Sequence, residues 1–132
     1  MILVDTNVLG ELARPAPDVR VLQWARRVPL PLSISVVTLE EVSYGLTWRP
    51  NPDIQGWFDR FVEDSCSVLP VTGAIARQAG ALRGRFRLQG RQRTQADMLI
   101  AATAQAHQLA LATRNVRDFD GCGIPLVNPF QD

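Results

Sequence analysis

Four short stretches of this chain hold acids and amides where chemistry could be done: VDTN at 4–7, LEEVSYG at 39–45, TQADML at 94–99 and TRNVRD at 113–118. Carboxylates brought together from such separate segments repel and raise one another's pKa unless a hard cation neutralises them. Ligation by oxygen alone is what Mg²⁺ or Mn²⁺ prefers. The single histidine, His107, and the two cysteines, Cys66 and Cys122, form no CxxC or Cys/His cluster, so a zinc site is not indicated. A hard cation held by clustered acids can activate water and steady an in-line phosphoryl displacement, with or without a second ion about 3.5–4 Å away.

Whether these acids meet depends on the elements that carry them. Ile2, Leu3 and Val4 are a continuous apolar run too short for a helix, the pattern of a strand covered on both faces of a parallel sheet. Asp5 then falls at a strand's carboxyl end, the edge where ligands bind in open α/β sheets. Further β-rich stretches are expected at 32–35 (LSIS), 67–71 (SVLPV), 109–113 (LALAT) and 124–128 (IPLVN). Segments of helical period separate most of them. VLGELAR is stopped by Pro15, DVRVLQWARR starts on an Asp18 cap and is stopped by Pro29, and VVTLEEVSYGLTW follows Ser35. DIQGWFDRFVEDS carries an apolar stripe of Trp57, Phe58, Phe61 and Val62, and TGAIARQAGALRGRF and ADMLIAATAQAHQL complete the set. Strands alternating with helices imply parallel pairing through crossovers, hence an α/β sheet layered by helices.

Helical periodicity separates the adjacent acids of the third helix. Glu40 falls with Ser43 and Thr47 on the polar face; Glu41 falls beside Val37, Thr38, Gly45 and Trp48. Gly45 would leave room there for a backbone or a ligand. A half-buried Glu41 needs a hydrogen-bond donor or a cation. ADMLIAATAQA is apolar on nearly every side and reads as a central helix, with Asp97 in its first turn. Thr94 and Asp97 stand at capping-box spacing, so a purely structural role for Asp97 is one reading. The other follows from topology: this helix leads into LALAT, so its amino terminus lies at the carboxyl edge of the sheet. The cluster Thr113, Arg114, Asn115 and Asp118 leaves LALAT at that same edge. Asp118, one turn beyond Asn115 if the chain coils, could reach a cation there or pair with Arg114 or Arg117.

At 132 residues the chain has the length of one ordinary domain, spanning 1–132, that folds without disulfides. Two cysteines of ordinary packing type suit a reducing compartment. No basic signal region and no run of roughly 20 apolar residues is present, so a cytoplasmic protein without a membrane partner is expected. The net charge is +1, yet all fourteen basic residues are Arg, and six of them crowd between Arg77 and Arg93. Arg grips phosphate oxygens in pairs. Arg85, Arg91 and Arg93 are therefore candidate phosphate contacts, against the plainer reading of a solvated helix face or a protein-docking surface.

With VDTNVLGEL, SVVTLEEVSYG, ADMLIAATA and the tail from ATRNVRDF to LVNPF in order, the chain resembles the PIN-domain ribonucleases, and among them the VapC-type toxins of bacterial toxin–antitoxin pairs. The resemblance covers nearly the whole length. It implies a three-layer α/β/α sandwich with a mostly parallel sheet of about five strands, and endoribonuclease activity dependent on Mg²⁺ or Mn²⁺. It places the family's acidic centre on Asp5, Glu41 and Asp97, with Asn115 where many relatives have a fourth acid, and Thr6, Asn7 and Thr113 among the supporting polar residues. It further implies a VapB-like antitoxin that inserts a segment near the site, a homodimer, and operator DNA bound only through the antitoxin complex. The departure at Asn115, a weaker metal ligand than Asp, leaves one ion or two open. A PIN scaffold used only to bind RNA or protein is the rival reading. A haloacid-dehalogenase-type site would need a second acid at Asn7, and a two-component receiver would need a lysine; the chain has neither.

Overall fold

Pairing runs outward from the first strand. In the computed structural model, which describes residues 1–131, the strands are β1 (Ile2–Val4), β2 (Leu32–Ser35), β3 (Cys66–Leu69), β4 (Ala110–Ala112) and β5 (Leu126–Val127). They form one five-stranded sheet in the order β3-β2-β1-β4-β5, and every pair is parallel. The expected mostly parallel sheet is thus wholly parallel. Three strands are shorter than their apolar stretches, β4 losing one residue at each end of 109–113. β3 stops at Leu69 because Pro70 has no N–H to continue the ladder, and only Leu126 and Val127 of the last stretch pair.

Six helices cover the sheet: α1 (Thr6–Leu12), α2 (Val19–Arg27), α3 (Val36–Trp48), α4 (Pro52–Asp64), α5 (Gly73–Leu88) and α6 (Gln95–Ala106). A 3₁₀ turn, Val116–Phe119, follows β4. The caps are those the sequence signals: Asp18 accepts from Arg20 N at 2.8 Å, Ser35 from Val37 N at 3.0 Å and Thr94 from Asp97 N at 3.1 Å.

Two apolar clusters, one per face of the sheet, make the outer layers. Leu3 and Leu111 join Met98, Ile100, Ala101 and Phe86 beneath α5 and α6. Val4, Ile34 and Ala112 join Val8, Leu9, Trp24 and Phe58 beneath α1, α2 and α4. Because alternate strand residues feed opposite clusters, both faces of the central strands β2, β1 and β4 are covered, as the unbroken apolar runs require, while the edge strands β3 and β5 are half-buried. Each fully buried Leu or Ile contributes about 1.5–3 kcal/mol. The alanines of α6 let it lie close on the sheet, and Ala101 and Ala104 are wholly buried. This close seating fixes the position of Asp97 one turn upstream.

Candidate active site

Three parallel strands deliver polar groups to one edge. Asp5 follows β1, Ser35 ends β2 and Thr113 follows β4. Asp5 N–H donates to Ala112 O at 2.9 Å, so the ladder continues into the site and sets Asp5 beside Thr113. The Asp5 side chain is buried and fully engaged. Its Oδ1 accepts from Thr6 N at 2.8 Å; its Oδ2 accepts from the Thr113 hydroxyl at 2.8 Å and from Asn7 Nδ2 at 3.1 Å. Burial pushes its carboxyl above the ordinary value, these three hydrogen bonds oppose the shift, and Asp118 adds a further upward push.

Glu41 enters from α3. The Thr6 hydroxyl donates to Glu41 Oε1 at 2.7 Å and stands 3.3 Å from the hydroxyl of the buried Thr38. The donor that a half-buried Glu41 requires is therefore Thr6. Glu40 is exposed, as periodicity predicts. The remainder of the Glu41 face differs from expectation: Gly45 and Trp48 are exposed, Trp48 at 70%. No backbone packs on Gly45, where an added Cβ would meet nothing within 4 Å, because α3 runs past the sheet before its last turns.

Asp97 enters from the first turn of α6 and is half-buried. Its carboxyl is pushed up first by burial, opposed by the hydrogen bond with Thr94, and then raised by Asp5, Asp118 and Glu41 in turn. The capping pair with Thr94 exists, and the acid also belongs to the edge cluster; the two readings hold together. Asn115, just before the 3₁₀ turn, and Asp118, on it, are exposed. Asn115 N donates to the Thr113 hydroxyl at 3.0 Å and Asp118 N to Asn115 O at 3.0 Å. Among the described residues Asp118 forms no ion pair with Arg114 or Arg117, and Arg114 lies over the Phe130 ring at 4.7 Å.

Four acids from four segments thus share one edge and feel one another. Among the described residues no three acidic, histidine or cysteine side chains converge closely enough to grip an ion. Hydroxyls and amides hold Asp5 and Glu41 instead. The donor set is uniformly hard oxygen, which fits Mg²⁺ or Mn²⁺ and not a soft metal.

Three groups were not singled out as site residues from spacing alone. Thr38 sits against the Thr6 hydroxyl, a position signalled only by its place three residues before Glu41. Phe86 and Asp120 organise the two arginines of the α5–α6 loop. The guanidinium carbons of Arg91 and Arg93 lie 4.8 and 4.7 Å from the Phe86 ring centroid, and both side chains donate to Asp120 O, at 3.3 and 3.4 Å. They tie the α5–α6 loop to the segment after the 3₁₀ turn. Gly121 completes this junction: its φ is +84°, and an added Cβ would come within 3.3 Å of Phe86. Arg85 lies on the opposite flank of α5 from Arg83 and Arg87, about 200° around the helix from each. The cysteines are free, Cys122 buried under α6 and Cys66 half-buried with its thiol pushed up to about 11 by burial; both pack.

The fold and the edge define a class, a parallel α/β sandwich with an acidic carboxyl edge. Comparison with known sequences gives the family: the model for the PIN domain matches residues 2–121. The chain belongs to the PIN-domain family. Among its relatives, a protein of Sinorhizobium fredii called VapC ribonuclease Y4jK is 32% identical, with 99% of each chain covered. Toxin FitB of Neisseria gonorrhoeae is 31% identical over the full length of both. A solved toxin–antitoxin complex from Klebsiella pneumoniae contains a chain that superposes with a TM-score of 0.77 at 30% identity, covering 100% of both. Among the described residues no helix is long and apolar enough to cross a membrane.

Proposed function

We propose that this protein is an endoribonuclease dependent on Mg²⁺ or Mn²⁺ that acts in the cytoplasm as the toxin of a toxin–antitoxin pair. The observation that carries this reading is the gathering of Asp5, Glu41, Asp97 and Asp118 from four segments at the carboxyl edge of the sheet, where burial first and then the charges of Asp5, Asp118 and Glu41 push the Asp97 carboxyl up. Four acids with no ion pair among the described residues at a ligand-binding edge are a cost to the fold that a bound cation would remove. Full-length similarity to a VapC ribonuclease and to a toxin supports the activity, and the Klebsiella toxin–antitoxin complex supports an inhibitory partner protein. Operator DNA is then reached through that complex, and the toxin works as a homodimer.

In this reading Asp5, Glu41 and Asp97 hold the cation, with Asn115 offering a neutral carbonyl and Asp118 a carboxylate from the turn above. The bound ion supplies an activated water and neutralises charge at the phosphorus under attack. The chain's own groups fix the donors. Thr113, Asn7 and Thr6 N lock the Asp5 carboxylate, the Thr6 hydroxyl orients Glu41, and the cap at Thr94 seats Asp97. An antitoxin would block the site most simply with an arginine among the acids.

Expression of the wild-type chain without its antitoxin is expected to arrest growth, with rescue on co-expression and no arrest from the Asp97→Asn chain. Harmless accumulation of folded wild-type protein would overturn the toxin assignment. A second expectation concerns Asn115 and Asp118. Asp binds a hard cation better than Asn, so Asn115→Asp should tighten Mn²⁺ binding, read by thermal shift without RNA. Asp118→Asn should raise the Mn²⁺ concentration for half-maximal cleavage roughly ten-fold, the scale of a lost supporting contact. A curve overlaying the wild type would remove Asp118 from the site.

A further inference from the structure

The hairpin of α5 and α6 carries a hollow of about 350 Å³, walled by Gly80, Arg83, Gly84 and Arg87 on one side and by Gln92 and Arg93 on the other. The α5 residues stand at i, i+3, i+4 and i+7, so they share one face of the helix. A Cβ added at Gly80 or Gly84 would meet nothing within 4 Å, so the space between the arginine stems is open down to the backbone. No acid lines the hollow. Among the described residues neither Arg83 nor Arg87 has an ion pair or hydrogen-bond partner, and Arg93 Nε is buried without a partner.

Like charges on adjacent turns repel, and here two unpaired guanidinium groups and a third across the gap surround one concavity. A multi-oxygen anion reverses that sign, and the planar fork of Arg matches phosphate oxygens in pairs. The wall is glycine, arginine and glutamine, with no aromatic or aliphatic side chain to anchor a protein partner. Location adds the last element. A smaller pocket that shares Gly80 and Arg83 with the hollow reaches Gln95 and Leu99 of α6, and Arg93 precedes Asp97 by one turn's length of chain.

We propose that this hollow seats a backbone phosphate of the RNA strand whose cleaved bond lies at the acidic edge. Arg83 and Arg87 grip it, and Arg93, held on Phe86 and by Asp120 O, forms the far wall. This rests on the ribonuclease reading. Phosphate contacts position a strand without reading its bases, so the hollow should serve every RNA sequence alike.

The test uses full-length Asp97→Asn protein, which leaves RNA intact, with EDTA and a short fluorescent single-stranded RNA, and follows anisotropy against salt. Adding Arg83→Gln and Arg87→Gln should weaken binding and flatten the log–log salt slope by about 0.7 units, the share of one phosphate contact on a single strand. Arg60→Gln, exposed on α4 across the sheet from α5, should leave the slope as it was. Melting curves verify that each variant is folded. An unchanged slope in the folded double variant, or an equal loss from Arg60→Gln, would overturn the hollow and leave the ribonuclease reading intact. Failure of the Asp97→Asn parent to bind any RNA would overturn both. A double variant that keeps its RNA slope but no longer joins the antitoxin would assign the hollow to a protein partner and overturn the proposal.

Discussion

Asp97→Asn is expected to abolish metal-dependent RNA cleavage, by on the order of 10³-fold or more, while raising the thermal stability of the metal-free domain. The loss follows from scale: a Lewis-acid centre supplies several kcal/mol of transition-state stabilisation, and about 4 kcal/mol is 10³-fold in rate. The gain follows from linkage. Burial and the charges of Asp5, Asp118 and Glu41 raise the Asp97 carboxyl above its unfolded value of 3.8, so the folded state binds the proton more tightly than the unfolded chain does. Its contribution to stability is therefore favourable at low pH and is lost as pH rises through the folded-state value. Asn carries no charge to penalise, and its carbonyl can still accept from Thr94. The two stability curves should converge in acid, where Asp97 is protonated, and separate at neutral pH with the variant above. Adding Mn²⁺ should close that gap from the other side by stabilising only the wild type. Denaturant titrations at several pH values, with and without Mn²⁺, measure this. Undiminished cleavage by the variant would remove Asp97 from the reaction.

The layout of this site was legible in the chain wherever a local signal coincided with a topological one. Asp5 closes a strand with apolar runs on both sides, and Asp97 opens a helix leading into another strand, so right-handed crossovers alone bring them to one edge. Glu41 was separable from Glu40 because 100° per residue puts them on different faces. What periodicity could not supply was where a helix leaves the body of the domain. The same helical face that brings Glu41 to Thr6 carries Gly45 and Trp48 out into solvent, since a helix longer than the sheet beneath it keeps its period after its neighbours end. The arginine run shows the complementary limit. Six positive charges in one stretch of sequence fix the local sign of the field, but a helix distributes them: Arg83 and Arg87 to one flank, Arg85 to the other. Arg91 and Arg93 are taken up by Phe86 and by the carbonyl of Asp120, a contact across 27 and 29 residues that nothing in their own segment announces.

The second large effect is expected away from the four acids, at Thr113→Val. Thr113 is wholly buried, and valine matches its shape, so packing is preserved and only the hydroxyl is removed. That hydroxyl donates to Asp5 Oδ2 at 2.8 Å and accepts from Asn115 N at 3.0 Å. Asn115 is exposed and water can replace its lost acceptor. Asp5 is buried, and without Thr113 its Oδ2 keeps only Asn7, at 3.1 Å. Leaving a buried charged acceptor short of a donor costs about 1–3 kcal/mol. The sign with pH follows from the same bond: it lowers the Asp5 carboxyl, so removing it lets burial push that carboxyl still higher. The variant's deficit should be largest at neutral pH, where Asp5 must be charged, and should shrink as pH falls and Asp5 takes up its proton. Cleavage should fall roughly 10- to 100-fold, as when a partner that orients a metal-binding carboxylate is lost. Thr113→Ser separates the hydroxyl from the shape, since it keeps the donor and removes a methyl: most of the activity should return while some packing is lost. Equal activity of the Val and Thr proteins would show that Asp5 needs no donor from β4, and its orientation would then rest on Thr6 N and Asn7 alone.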